Sequence, residues 1–294
     1  MRSLTLPAPA KLNRLLRITG RREDGYHSLQ TLFQILDRGD TLRFETQPRG
    51  SDITLSPALV GVTEADNLIV RAARRLQRET GCRQGATITL EKRLPMGGGL
   101  GGGSSNAATT LLALDRLWGL GLGLERLATL GLELGADVPV FVRGRTAWAE
   151  GVGERLTAVD LEPAWLVIVH PGVEIATAAI FSHPGLTRDS TVISMRRALD
   201  GAAPEVVWRN DCESIVRALH PEVDRALNWL GQYGPAILTG TGACVFCPLD
   251  DETQADQVLR QVPDEWQAFK ARGCNLSPLH QALNLAEGLG QSQA

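Results

Sequence analysis

A chain of 294 residues exceeds the usual size of one domain, and its 43% hydrophobic and 21% charged content is that of a soluble globular protein with a sizeable core. The formal charge of −3 supplies no global basic field for nucleic acid or an anionic membrane. No apolar run approaches the roughly 18–20 residues of a membrane helix, and "MRSLTLPAPAKLN" lacks the apolar stretch of a signal peptide, so a cytoplasmic enzyme is expected, with no nucleic-acid or membrane partner and with monomer and homodimer both open.

In chain order, "KLNRLLRIT" and "TLRFET" read as strands, the second alternating Leu42 and Phe44 with polar neighbours. "ADNLIVRAARRLQRETG" reads as a helix capped by Asp66 or Asn67, with an apolar stripe of Leu68, Ile69, Ala72, Ala73 and Leu76 and a stop at Gly81. "ATITLEKRLP" is a strand broken by Pro95. The run "LPMGGGLGGGSSNAA" follows, and then a helix with Ser104, Ser105 or Asn106 as its cap and Ala107, Leu111, Leu114 and Trp118 at helical spacing. In "GADVP", Asp137 ahead of Pro139 is a start signal for a short helix.

"AVDLEPAWLVIVHPG" reads as a connector leading into a continuous apolar strand, and sets a boundary near residue 160, with one domain over 1–160 and another over 161–294. Beyond it come three helices, the strands "AILTG" and "ACVFCPL", the helix "ETQADQVLRQV" and the strand "WQAFKA". The mixture predicts an α+β fold in place of a regular doubly wound sheet. The five cysteines are odd in number and scattered, which argues against a disulfide framework. Cys244 and Cys247 match C-x-x-C, but in a buried strand and not at a helix N-terminus, where a redox thiol gains its low pKa. The last ten residues are expected to fray.

The glycine run carries the chemistry. Strand, glycine loop and helix N-terminus together make an anion site, because bare backbone lets N–H groups close on phosphate oxygens while the helix dipole adds favourable potential. A flexible linker would sit among polar and charged residues, and this run does not. A P-loop needs a Lys before its Ser/Thr, and none lies between Gly97 and Ser105. Gly97, Gly99 and Gly102 satisfy the dinucleotide pattern, yet no strand ending in an acidic residue follows about 20 positions on.

The form "PMGGGLGGGSSNAA" resembles the phosphate-binding motif of the GHMP kinases, which include galactokinase, homoserine kinase and mevalonate kinase. "PAPAKLNRLLRITGRREDGYHSLQTLFQ", "ADNLIVRAARRL", "LGADVPVFV", "AEGVGERLT", "NDCE" and "LTGTGACVF" extend the likeness from about residue 7 to 250. They are most similar to members of the family whose acceptor is a diphosphocytidyl-linked sugar alcohol. The resemblance implies a two-domain architecture: an N-terminal domain like the second domain of ribosomal protein S5 and a ferredoxin-like C-terminal domain. It implies ATP as donor, held by Pro95, Met96, Gly97, Gly98, Gly99, Leu100, Gly101, Gly102, Gly103, Ser104 and Ser105, with Asn67 and Lys92 bordering the adenine. It implies Mg2+, with Ser105 as its protein ligand; helix capping is the competing role for Ser105.

By the same resemblance, Asp137 takes the proton from the attacking hydroxyl, a role compatible with helix capping, and Lys11 keeps Asp137 ionised and steadies phosphate charge. Tyr26 and His27 hold the cytosine with Phe181 closing the sandwich, while Asn13, Val152, Thr177, Thr239 and Gly240 contact the rest of the acceptor. An aromatic ring suits this task because every base has a π-face to stack on. Three rival readings are a nicotinamide-dependent dehydrogenase, an RNA-binding module, and a kinase of the same family acting on mevalonate or homoserine, whose substrates offer no base to stack.

Overall fold

The computed structural model describes residues 2–47, 50–200 and 209–284. Two antiparallel strands, β1 (Ser3–Arg21) and β2 (His27–Gln47), pair along nearly their whole length and form its spine. Both outrun the segments picked out by alternation, and the register explains why. Shifts between Pro9 and Lys11, Asn13 and Leu15, and Ile18 and Gly20 break the period of two, so no single alternating pattern runs through β1.

β3 (Ile53–Ser56) runs parallel to β4 (Gly85–Glu91), which pairs antiparallel with the end of β2. β5 (Ala147–Gly151) pairs with the start of β2 and forms a hairpin with β6 (Arg155–Ala158). β7 (Trp165–His170), β8 (Ile237–Leu238), β9 (Val245–Leu249) and β10 (Gln267–Cys274) complete a ten-stranded sheet. β10 joins the two regions: residues 267–272 pair with β7, and Gly273 and Cys274 pair with Leu36 and Ile35 of β2.

α1 (Leu68–Thr80) begins as the sequence implies. Of the two candidate caps Asn67 is the one used, its Oδ1 accepting from the Ile69 N–H at 2.9 Å, and Gly81 ends the helix at φ 68°. α2 (Gly102–Trp118) does not follow the expected start. It opens at least three residues early, its cap position is Gly101 at φ 70°, and no side chain caps it; Ser104, Ser105 and Asn106 all lie inside the first turns. A glycine in the left-handed region makes the sharp entry that a serine cap would have needed extended backbone to make. α3 (Gly123–Leu132) and α4 (Val138–Arg143) follow. Beyond β7, four helices are described where three are expected: α5 (Thr177–Ser182), α6 (Met195–Leu199), α7 (Glu213–Leu219) and α8 (Pro221–Leu230). α9 (Glu252–Leu259) and α10 (Pro278–Ala282) flank β10.

Two large apolar cores result, beside two smaller clusters. One gathers Phe44, Ile88, Leu111, Leu114 and Phe141 between sheet and α1–α4; the other gathers Val167, Val169, Ile180, Val216, Leu227 and Val245. Each fully buried leucine of α2 stabilises the first core by about 1.5–3 kcal/mol relative to exposure. Leu279 and Leu283 return from the C-terminal side to pack in this first core. Among the described residues no helix is long and apolar enough to cross a membrane. The expected fraying of the last ten residues falls on positions outside the described ones.

Candidate active site

A cleft of about 890 Å³ opens over the glycine loop, and residues from both cores line it. Gly97, Gly99 and Gly101 have φ of 62°, 72° and 70°, a region closed to most side chains. Close approach excludes side chains too: a Cβ on Gly98 would lie 2.7 Å from Cys244 Sγ, one on Gly101 would lie 2.9 Å from Phe141, and one on Gly99 would overlap the Thr239 carbonyl.

The carbonyls of Gly97 to Leu100 are all engaged from behind. Gly97 and Gly98 accept from the N–H groups of Ala243 and Cys244 (3.0 and 3.2 Å), Leu100 from that of Lys11 (3.0 Å), and Gly99 from Lys11 Nζ (3.1 Å) and Thr239 Oγ1 (3.3 Å). By contrast, the N–H groups of Gly97 to Ser104 donate to no described residue. The loop therefore offers donors without competing acceptors, at the positive end of α2.

Lys11 and Asn13 lie between two bulges of β1, a device that redirects side chains beside functional sites. Both are buried, yet both face the cleft. The Lys11 ammonium spends its three protons on Asn13 Oδ1 (2.6 Å), the Gly99 carbonyl (3.1 Å) and Asp137 Oδ2 (3.1 Å). Asn13 is held in turn, donating through Nδ2 to Thr31 Oγ1 at 2.8 Å. Asp137 occupies the cap position of α4, but its side chain makes no capping bond. One carboxylate oxygen takes the ion pair, and the other has no partner among the described residues. The capping role is thus set aside in favour of a carboxylate aimed at the cleft.

A residue that sequence reading missed fastens the loop on its other side. Asp40, fully buried at the end of a β2 bulge, accepts from the N–H groups of Arg93 (2.8 Å) and Leu94 (2.9 Å), from Asn106 Nδ2 (3.1 Å) and from Lys92 Nζ (2.9 Å). Lys92 also donates to the Leu94 carbonyl at 2.6 Å, so its charge is committed to the protein even though its side chain lines the cleft. Asn67 lines the cleft as well, beside Pro95 and Met96.

Elsewhere in the cleft, Tyr26 is 64% exposed on the turn between β1 and β2, where Asp24 accepts its N–H at 3.1 Å. His27 and Phe181 of α5 pack with ring centroids 5.2 Å apart, tilted by 32°. Burial, then the positive charges of Arg188 and Arg21, push the His27 imidazole below its usual pKa, which keeps it neutral near pH 7. Val152, Thr177 and Gly240 also line this cleft, Thr177 sharing a hydrogen bond with Thr241 at 3.0 Å.

Two expected contacts fall elsewhere. Ser105 is fully buried and does not line the cleft, because one residue is about 100° of helix rotation; Ser104 is the serine that lines it. Thr239 does not line the cleft either: its Oγ1 bridges the Asn13 N–H (3.0 Å) and the Gly99 carbonyl, which makes it a clamp, and Thr241 stands in its place. Cys244 and Cys247 are buried, and burial pushes both thiols up, Cys247 to about 12, the opposite of what thiolate chemistry needs.

Known proteins resemble this chain over nearly its whole length. Residues 67–145 match the family described as GHMP kinases N terminal domain, and residues 196–268 the one described as GHMP kinases C terminal. The 4-diphosphocytidyl-2-C-methyl-D-erythritol kinase of Chromohalobacter salexigens is 66% identical over 97% of this chain and 96% of its own. That of Pseudomonas aeruginosa PAO1 is 55% identical over 95% and 97%. A crystal structure of 4-(cytidine 5'-diphospho)-2C-methyl-D-erythritol kinase superposes with a TM-score of 0.77 at 33% identity, covering 92% of this chain and 99% of its own. The mevalonate kinase of Methanococcus jannaschii shares the fold at a TM-score of 0.66 and 16% identity, over 93% and 98%.

Proposed function

The chain belongs to the GHMP kinases, and from that premise we propose that it transfers the γ-phosphoryl group of ATP to the 2-hydroxyl of 4-diphosphocytidyl-2-C-methyl-D-erythritol, a step of the non-mevalonate route to isoprenoids. One observation carries the reading. A single cleft holds an amide cradle suited to phosphates, a carboxylate with a free oxygen, and an aromatic cluster suited to a base. Mevalonate and homoserine have no base for Tyr26, His27 and Phe181 to receive.

In this reading the N–H groups of residues 97–104 hold the ATP phosphates, Asn67 and Lys92 border the adenine, and Tyr26, His27 and Phe181 hold the cytosine. Asn13, Val152, Thr177, Gly240 and Thr241 flank the remainder of the acceptor. The free oxygen of Asp137 accepts the hydroxyl proton as the new O–P bond forms and the bond from the γ-phosphorus to the β–γ bridging oxygen breaks, releasing ADP. Lys11 fixes the carboxylate and places positive charge beside the transferring group.

A magnesium ion suits the donor set without a protein cage. Among the described residues no three His, Cys, Asp or Glu side chains are grouped to hold a metal, and Mg2+ bound to nucleotide is coordinated largely by phosphate and water. Ser104 and Asp137 are the oxygen donors that would hold it; when bound it neutralises phosphate charge. The chain divides near residue 160 into 1–160 and 161–294, with the segment after β10 reaching back to the first core.

The test is ADP release with the diphosphocytidyl substrate, mevalonate and homoserine as alternative acceptors, with phosphorus NMR locating the new phosphate. Turnover confined to the diphosphocytidyl substrate supports the reading. Turnover with either of the others, and none with it, would overturn the reading.

A further inference from the structure

His27 is gripped from outside the cleft by a residue that does not line it. Arg188, in the segment after α5, donates from Nε to His27 Nε2 at 3.1 Å. Its other nitrogens donate to the carbonyls of Phe181 (3.0 Å), His183 (2.8 Å) and Leu186 (3.1 Å). One guanidinium thus ties the imidazole of β2 to the helix end that carries the Phe181 ring.

The chemistry of the contact is one-sided. A guanidinium can only donate, so Nε2 must present a lone pair. In a neutral imidazole the proton then sits on Nδ1, which has no hydrogen-bond partner among the described residues. An imidazolium would turn an Nε2–H against the guanidinium. The charged groups bearing on the ring are both cations, Arg188 from the post-α5 segment and Arg21 from β1, and neither favours a second proton.

We propose that Arg188 is a positioning residue for the base pocket: it fixes His27 as a neutral Nδ1–H donor and holds that donor against Phe181, so that the pocket selects an acceptor on the pyrimidine edge. Cytosine offers two adjacent acceptors there, N3 and O2. The inference rests on the cytidyl reading of the cleft, but its first test does not.

Nitrogen-15 NMR of the histidine-labelled, ligand-free protein reads the tautomer directly. The wild type is expected to show Nδ1–H for His27 at neutral pH, and Arg188→Gln to lose that single tautomer. An Nε2–H in the wild type overturns the proposal whatever the acceptor proves to be. In kinetics, Arg188→Gln should raise KM for the diphosphocytidyl substrate roughly ten-fold, with a far smaller change in kcat and in KM for ATP. Its KM should also rise as pH falls through about 6.5, where a released imidazole gains its proton, while in the wild type the rise sets in at lower pH.

A double-mutant cycle separates action through His27 from a merely structural role. In a His27→Gln background, Arg188→Gln should add little to KM; an undiminished ten-fold rise there would overturn the proposal. Arg188→Lys keeps a cationic donor and should recover part of the loss; recovery no better than in Arg188→Gln also counts against it.

Discussion

Asp40→Asn is the sharpest probe of how the glycine loop is held. The carboxylate takes all its donors on two oxygens: Oδ1 serves the N–H groups of Arg93 and Leu94, Oδ2 serves Asn106, and the Lys92 ammonium spans both at 3.2 and 2.9 Å. An amide of the same shape must replace one oxygen by a donor. If its NH2 takes the Oδ2 position it faces the Lys92 ammonium and the Asn106 amide; if it takes the Oδ1 position it faces two backbone N–H groups. Either way donors confront donors in a fully buried site, and Lys92 loses its counter-charge. Breaking a buried pair costs about 3–5 kcal/mol. At about 2–4 °C per kcal/mol, the lower figure already lowers the melting temperature by roughly 6–12 °C.

The defect should also be directional. Asp40 holds residues 92–94 before the loop and Asn106 after it, so slack there displaces the amides between them. A shift of about 1 Å in a positioned group can cost about 100-fold, and kcat/KM for ATP should fall by about 10–100-fold. KM for the cytidyl acceptor should change much less. Thermal melting and initial rates with each substrate varied in turn measure both effects. A melting point within about 2 °C of wild type, or equal losses for the two substrates, would refute the reasoning.

Four further outcomes follow from the geometry. Asp137→Ala should lower kcat by about 100-fold or more while keeping the secondary structure, since no capping bond is lost, though the buried Lys11 ammonium loses its carboxylate partner; this is checked by single-turnover rates and circular dichroism. Tyr26→Ala removes a stacking face worth about 1–3 kcal/mol, so KM for the cytidyl substrate should rise about 5–150-fold with KM for ATP nearly constant. Gly99→Ala, strained by its φ of 72° and blocked by the Thr239 carbonyl, should weaken ATP binding measured by calorimetry more than it lowers the melting temperature. His280 is buried with its Nε2 on the Val142 carbonyl, and burial pushes its pKa down. The unfolded chain then binds the extra proton first, so stability is full above about pH 6.5 and declines as pH falls through that value; His280→Gln should flatten the slope of melting temperature between about pH 7 and 5.

Local signals carried much of this structure. α1 declares itself through Asn67, its apolar stripe and Gly81, and β7 through its unbroken apolar run. Lys11, Asp137 and the glycines are recognisable because they sit in motifs. Asp40 is not: between Gly39 and Thr41 it looks like any solvated turn carboxylate, and its partners lie 52 to 66 positions away. Ser104 and Ser105 are equivalent on paper, and only the entry angle set by Gly101 decides which serine lines the cleft. The full lengths of β1 and β2 are hidden by bulges, which are also what turns Lys11 and Asn13 toward the cleft. Arg188 lies 161 residues from the imidazole it holds, a separation across which local pattern says nothing.

The fastening of the glycine loop from behind has a thermodynamic consequence. Ordering a mobile loop on binding would cost about 1–2 kcal/mol per residue in backbone entropy. Here Ala243, Cys244, Thr239 and Lys11 have already fixed residues 97–100 in the ligand-free chain. That entropy is charged to folding, where the two cores jointly absorb it, and nucleotide meets a surface with little freedom left to lose. Calorimetry of ATP binding should therefore show a small conformational-entropy penalty. Cutting the rear contacts, as in Thr239→Val, should enlarge that penalty while every amide facing the cleft stays chemically intact.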